Sequence, residues 1–150
     1  MSVRRFQTPE EAEAAYYRAF QEADLDLMMS LWLERDDIVC VHPVRGTRLQ
    51  GQAAVLEGWL NVFARELDIR IALKNVQQIR QGEVAIRSGE EHVVRLGDPR
   101  VRGVNNFTNV YVETPQGWRL LVHHASPGPE AASVDPELVA ATGDGGSHMH

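Results

Sequence analysis

The spacing of apolar residues changes period near the middle of the chain. In three stretches between residues 8 and 67 apolar side chains recur every three or four positions, and from residue 69 they recur largely at every second one. The first pattern predicts helices and the second strands. Ala12, Ala15, Tyr16, Ala19, Phe20 and Ala23 form one helical face. Thr8-Pro9-Glu10-Glu11 precedes it. A threonine hydroxyl can accept from an unpaired first-turn N–H, and proline loses no bond at the first helical position. Asp24 can cap a second, short helix bearing Leu25, Met28, Met29 and Trp32. A third helix over about residues 52–66 carries Val55, Leu56, Trp59, Phe63 and Leu67 along one side.

Between the second and third helices lies Asp36-Asp37-Ile38-Val39-Cys40-Val41-His42-Pro43-Val44-Arg45-Gly46. Ile38 and Cys40 point one way and Val39 and Val41 the other, so this reads as a strand covered on both faces. Pro43 cannot donate to a ladder and ends it. His42 is thereby delivered on the face of Ile38 and Cys40, where it either lines a cavity or caps the core. Residues 46–51 read as a turn and a short extended piece.

In the second half Ile69, Ile71 and Leu73 alternate with charged or small residues. The phase slips at Asn75-Val76, which predicts a bulge. Gln81-Gly82 reads as a hairpin turn, Val84 and Ile86 open the next strand, and Gly89 can bend it. Gly97-Asp98-Pro99-Arg100 reads as a loop. A strand over 104–113, a turn at Pro115-Gln116-Gly117 and a last strand over 118–126 follow. Strict alternation in that last strand puts Trp118, Leu120, Val122, His124 and Ser126 on one face, with His123 on the other. Beyond Pro127 the chain is rich in proline, glycine and small residues, with a weak helical patch near 136–141. A domain over 1–128 and a flexible tail over 129–150 are expected. The GSHM near the end looks like a cloning remnant.

At 150 residues the chain suits one domain with its own core. The net charge of −6 offers no footprint for nucleic acid or an anionic membrane. No apolar run approaches the roughly 20 residues that span a bilayer, and the two arginines at the start have no apolar segment behind them. The single cysteine, Cys40, lies in the covered strand. A cytoplasmic location is expected. Helices gathered at one end and a four-strand meander at the other predict an α+β fold. A curved antiparallel sheet wrapped around three N-terminal helices would make a cone with an internal pocket.

That order of elements, together with three segments, resembles the nuclear transport factor 2-like superfamily. The nearest likenesses are SnoaL-like proteins, the ketosteroid isomerase group and the hub domain of calcium/calmodulin-dependent kinase II. The segments are AYYRAFQEADLDLMMSLW, VCVHPVRGTRLQGQAAV and GWRLLVHHASP, and the likeness covers about residues 8–128. The resemblance implies a cystatin-like cone that hosts enzymes, binding modules and assembly domains alike. In the isomerases a tyrosine of the first helix donates to the oxyanion, and Tyr16 matches that place without a gap as far as Trp32. The isomerase base is an aspartate before proline on the first strand; here His42 stands there, two residues further along. The second oxyanion donor, a protonated aspartate, corresponds to Asn109, which donates without any tuning.

The resemblance thus implies His42 as base, Tyr16 and Asn109 as donors and His124 as a second acid–base or orienting group. Trp59, Phe63, Phe107, Val122 and Ser126 would line the pocket. Asn105, Phe107, Asn109 and Tyr111 share a strand face, which is either a polar pocket wall or a solvated or dimer-facing row. Cys40 and His42 stand about 7 Å apart on one strand, too far for a nucleophile pair. Glu90-Glu91-His92 alternate in direction, so no metal site is expected there. Arg100 and Arg102 read as loop charges. The expected partner is a small organic molecule, bound or transformed by cofactor-free acid–base isomerisation, dehydration or cyclisation. A non-catalytic ligand-binding or association module is the rival reading. Val112 and Leu121 would leave an apolar patch on the uncovered sheet face, so a homodimer or larger assembly is expected.

Overall fold

The structure, a computed structural model, describes residues 4–43 and 46–147, with side chains as far as Thr142. Val44 and Arg45 of the second motif segment, and His148, Met149 and His150 of the terminal GSHMH, lie outside the described residues.

Helix α1 (Pro9–Glu22) starts as its sequence predicts: the Glu11 amide donates to Thr8 Oγ1 at 3.1 Å. It stops at Ala23, whose φ of 53° takes the chain out of the helix. Asp24 caps α2 (Leu25–Ser30) by accepting from the Leu27 amide at 3.0 Å. Strands β1 (Val39–Val41) and β2 (Arg48–Gln50) lead into α3 (Gln52–Ala64). The meander follows as β3 (Ile69–Gln81), β4 (Val84–Arg95), β5 (Asp98–Thr114) and β6 (Gly117–Pro127).

Among the described residues, six strands form one sheet in the order β2-β1-β6-β5-β4-β3. β1 runs parallel to β6 and every other pair is antiparallel. The expected slip is present: register shifts between Lys74 and Gln77, with Asn75 at a φ of 56°. Gly89 sits under it, where a Cβ would lie 3.0 Å from the Lys74 carbonyl and Val76 Cα. A larger residue there would push the two strands apart, so glycine permits the sharp bend that curls the sheet around α1 and α3. Trp32, Trp59, Trp118, Tyr16, Tyr111 and Phe107 fill the enclosed space.

β6 contains a second irregularity that simple alternation does not reveal. Val110 pairs with Val122, yet Tyr111 pairs with Leu120. Leu121 is therefore an extra residue, and the faces of β6 exchange across it. Before it, Trp118 and Leu120 face inward; after it, His123 and Ala125 do. This reverses the expected placement of Val122, His124 and Ser126. His124 and Ser126 are exposed, while Val122 is half-buried in register with Val110 on the outer face.

Register gives that outer face an apolar row of Ile79, Ile86, Val110, Val122 and Val39. Val112 and Leu121, expected to meet water there, are partly buried against the main core instead.

The chain after Pro127 also departs from expectation. A 3-10 turn (Ala131–Ser133) and helix α4 (Pro136–Ser147) fold over one end of the sheet. Val134, Val94 and Val104 form a second buried cluster, with Leu138 and Val139 packed against it. The Asp135 amide donates to His92 Nδ1 at 2.9 Å, and Lys74 pairs with the Asp135 carboxylate at 2.8 Å. The proline- and glycine-rich composition hid three apolar residues that suffice for docking. Deleting residues 130–150 would uncover Val94 and Val104, so stability should fall by roughly 2–4 kcal/mol. Urea unfolding of the truncated chain checks this; an unchanged midpoint would restore the detached-tail reading.

Candidate functional site

Backbone register places Gln78, Arg87, Asn109, His123 and Cys40 side by side across five strands. All point to the concave face, where α1 lies over them. From α1, Glu13, Tyr16 and Tyr17 face this row and are almost completely buried. The row runs from an exposed Gln78 into a closed core, where hydrogen-bonding side chains demand partners, and nearly all of them find one.

The Glu13 carboxylate is met from three directions. Arg87 Nε donates to Oε1 at 2.8 Å, and Asn109 Nδ2 and the Tyr111 hydroxyl each approach Oε2 at 3.2 Å. Arg87 also donates to Gln78 at 2.6 Å. Asn109 Nδ2 lies 3.4 Å from the Tyr17 hydroxyl, and its Oδ1 lies 2.6 Å from His123 Nδ1. Tyr17 in turn donates to Glu91 Oε2 at 2.6 Å, while Asn105 donates to Glu91 Oε1 at 3.3 Å.

Glu91 and His123 Nε2 are 3.9 Å apart. They do not form an ion pair. Burial pushes the Glu91 carboxyl up to about 7, against its bonds from Tyr17 and Asn105, and the nearby Glu13 charge adds to the rise. Burial also holds His123 well below the ordinary histidine range, helped by His42 and His124. The pair is thus a carboxyl that titrates near neutrality beside a neutral imidazole.

His42 stands at the edge of this group, half-buried, with its ring 4.8 Å from Trp59 and 6.1 Å from His123. Burial pushes it down to about 4. Its Nε2 is 3.6 Å from Cys40 Sγ, not the roughly 7 Å expected for neighbours on one strand face. The strand ends at Val41, so His42 has left the pleat and turns back over Cys40. Burial raises the thiol far above its usual range. A neutral thiol beside a neutral imidazole is not an activated nucleophile.

Tyr16 stacks at 4.7 Å on His123 and meets Trp59 edge-on at 5.7 Å. The Tyr16 hydroxyl and Trp59 Nε1 are buried with no protein partner, as is Trp32 Nε1. Phe20 and Phe63 flank Trp59 at 5.1 and 5.4 Å. Both also line a groove of ≈ 560 Å³ with Glu22, Val62, Glu66 and Leu67, where the C-terminal ends of α1 and α3 approach the start of β3. An aromatic layer therefore separates this groove from the polar row.

Of the residues singled out by sequence, Tyr16, His42, Asn109, Trp59, Phe63 and Phe107 come together. Phe107 packs at 6.0 Å from Tyr17. His124, Val122 and Ser126 do not, because the bulge at Leu121 turns them outward. Glu13, Tyr17, Arg87 and Glu91 carry much of the polar network and went unassigned. Glu13 follows Glu10 and Glu11 and cannot be told from a surface residue by type; only its place four before Tyr17 on a buried face marks it. In Glu90-Glu91-His92 the alternation holds. Glu91 enters the interior, whereas His92 and Glu90 pair at 3.0 Å on the other face.

Residues 10–129 match the family model of the SnoaL-like domain. No curated protein matches the chain. Among solved structures it is similar to a protein from Thiobacillus denitrificans described as a calcium/calmodulin-dependent protein kinase type II association domain. That pair is 39% identical with a TM-score of 0.77, over 84% of this chain and 99% of the other. A protein of the nuclear transport factor 2-like family from Streptomyces avermitilis, described as a dehydratase, is 29% identical with a TM-score of 0.71, over 79% and 93%. A nuclear transport factor 2-like protein from Salmonella enterica shares the fold at 20% identity and a TM-score of 0.67, over 80% and 88%. The domain match over most of the chain, on a cone of helices in a curved sheet, makes this protein a member of the SnoaL-like family within the nuclear transport factor 2-like superfamily.

Proposed function

We propose that the cone binds a small, uncharged organic molecule and moves a proton on it, with Glu91 as the acid–base group. The observation that carries this reading is the Glu91 carboxyl, buried at the polar row and pushed up to about 7. A carboxyl tuned to neutrality can both take and return a proton under ordinary conditions. Tyr17, donating at 2.6 Å, holds it in place. The Tyr16 hydroxyl and Trp59 Nε1 have no protein partner, which suits donors to a ligand oxygen. Arg87 is matched by Glu13, and both His42 and His123 are held neutral, so no free positive charge among these groups would hold a carboxylate or phosphate. The chemistry that follows is proton transfer next to a carbonyl: isomerisation, dehydration or an aldol-type closure. The 29% identical structure described as a dehydratase supports the same class. His42 and Asn109, expected as base and donor, become wall and scaffold; at about 4, His42 binds protons too weakly for a base near pH 7.

The direct experiment incubates the protein in D2O with a panel of small ketones, enones and hydroxyketones and follows loss of the α-proton signal by NMR. Exchange that falls about 100-fold or more in Glu91→Gln is expected. Binding of carboxylates but of no uncharged carbonyl compound would sink the proposal.

A second reading, an association module, rests on the 39% identical structure described as an association domain and on the apolar outer row. Light scattering at tens of micromolar should then give a dimer or larger, and Val110→Glu should dissociate it. A monomer would remove this reading.

Two stability measurements separate site from scaffold. Tyr16→Phe deletes a hydroxyl that bonds to no protein group, so stability should change by less than about 1 kcal/mol, or rise. Affinity for a ligand found in the panel should drop by roughly three- to tenfold. A buried tyrosine of purely structural use would show the opposite balance.

The raised Glu91 carboxyl keeps its proton on folding. Unfolded chains release that proton near 4.5 and the folded chain near 7, so its contribution to stability falls as pH rises through that window. The lowered His42 acts oppositely between about 4 and 6.5. Glu91→Gln removes only the first effect. Relative to the parent, the variant should gain roughly 2–3 kcal/mol between pH 5 and pH 8, measured by urea unfolding. Parallel curves would mean that Glu91 is not held protonated.

A further inference from the structure

We propose that Glu13 is a positioning residue that fixes the tautomer of His123 through Asn109. The inference follows the direction of each hydrogen bond. Glu13 is met by Arg87 at Oε1 and by Tyr111 and Asn109 at Oε2. A carboxylate in that setting only accepts, so the group Asn109 turns towards it must be its NH2. The same NH2 faces the Tyr17 hydroxyl, whose proton is given to Glu91 and whose lone pair is free to accept. With the amide so oriented, Oδ1 faces His123 Nδ1 at 2.6 Å. Oxygen there can only accept, so Nδ1 carries the hydrogen. His123 is neutral, and Nε2, the atom nearest Glu91, is left with a lone pair.

The choice matters to the site. An Nε2–H would offer Glu91 a donor and favour its ionised form; a lone pair opposes ionisation and leaves an acceptor facing the interior. A residue of α1 that touches neither Glu91 nor His123 thus sets what the imidazole presents, through one intermediate amide. The use of that acceptor rests on the acid–base reading above, but the tautomer is measured without any ligand, so the two can fail separately.

Replacing Glu13 by glutamine tests the direction of the chain. Arg87 would keep the side-chain oxygen, which leaves an NH2 towards Asn109. Asn109 then turns its oxygen to Gln, its NH2 to His123 Nδ1, and the imidazole proton moves to Nε2. Nitrogen-15 NMR of histidine-labelled protein distinguishes the two tautomers by which ring nitrogen carries the proton. The expected result is Nδ1–H in the parent and Nε2–H in Glu13→Gln. A folded Glu13→Gln protein that retains Nδ1–H overturns the proposal, as does a parent with Nε2–H.

Adding Asn109→Asp to Glu13→Gln provides a rescue, because an acceptor-only side chain at 109 needs no instruction from 13. Nδ1–H should return, and its failure to return in a folded double variant would show that Asn109 is not the intermediary. If Glu13→Gln does not fold, Asn109→Leu carries the test. The fixed Nδ1–H form should be lost, and its persistence would overturn the inference.

Discussion

Glu13 is a carboxylate placed where water does not reach, and much of the interior is arranged around it. An uncompensated charge in a core costs far more than any single packing contact returns. Compensation here comes from strands far from α1 in sequence: Arg87 from β4, and Asn109 and Tyr111 from β5. Each partner lies more than 70 residues from Glu13. Helix α1 can therefore dock on the sheet in one rotation and one register only, because a shift of one residue would strand the charge. The polar row gives the fold a specificity that an all-apolar core of the same volume would lack.

The fold was largely legible in the sequence because its signals are local. Thr8 and Asp24 cap their helices with their own side chains. Gln81-Gly82 and Pro115-Gln116-Gly117 turn where they stand, with Gly82 and Gly117 at positive φ. The slip at Asn75-Val76 shows as a break in alternation. The bulge at Leu121 does not, because Leu120, Leu121 and Val122 are all apolar and either phase reads equally well. One extra residue inside an apolar run exchanged His123 for His124, and with it Val122 and Ser126, in the expected site. The α1 polar residues were hidden for another reason. Glu13 is identified by what it meets, and its partners lie across the sheet.

The site is built from both kinds of information. Tyr16, Trp59 and Phe107 can be anticipated as inward-facing aromatics from helical and strand period alone. What they surround cannot. The aromatic layer of Phe20, Phe63, Trp59 and Tyr16 keeps water from the groove out of the polar row, and that exclusion moves Glu91 up and His42 and His123 down. The hydrophobic positions thus set the chemistry of the polar ones. A smaller side chain at Trp59 would admit water and return all three groups towards ordinary values, even though it bonds to none of them.

Among the described residues around the polar row, Glu13 and Arg87 form a matched charge pair. Neutral histidines, neutral phenols and a half-titrated carboxyl create only a weak field, so an ionic ligand would lose its hydration with nothing to replace it. An uncharged carbonyl compound loses much less and can gain hydrogen bonds from Tyr16 and Trp59, which otherwise have no protein partner. Of the groups in the row, Glu91 is the one burial brings to about 7, so near neutrality protonation of the site changes chiefly at that carboxyl. On the acid–base reading proposed above, the desolvation that would favour a neutral ligand is the same one that raises Glu91, so neither property could be altered without the other.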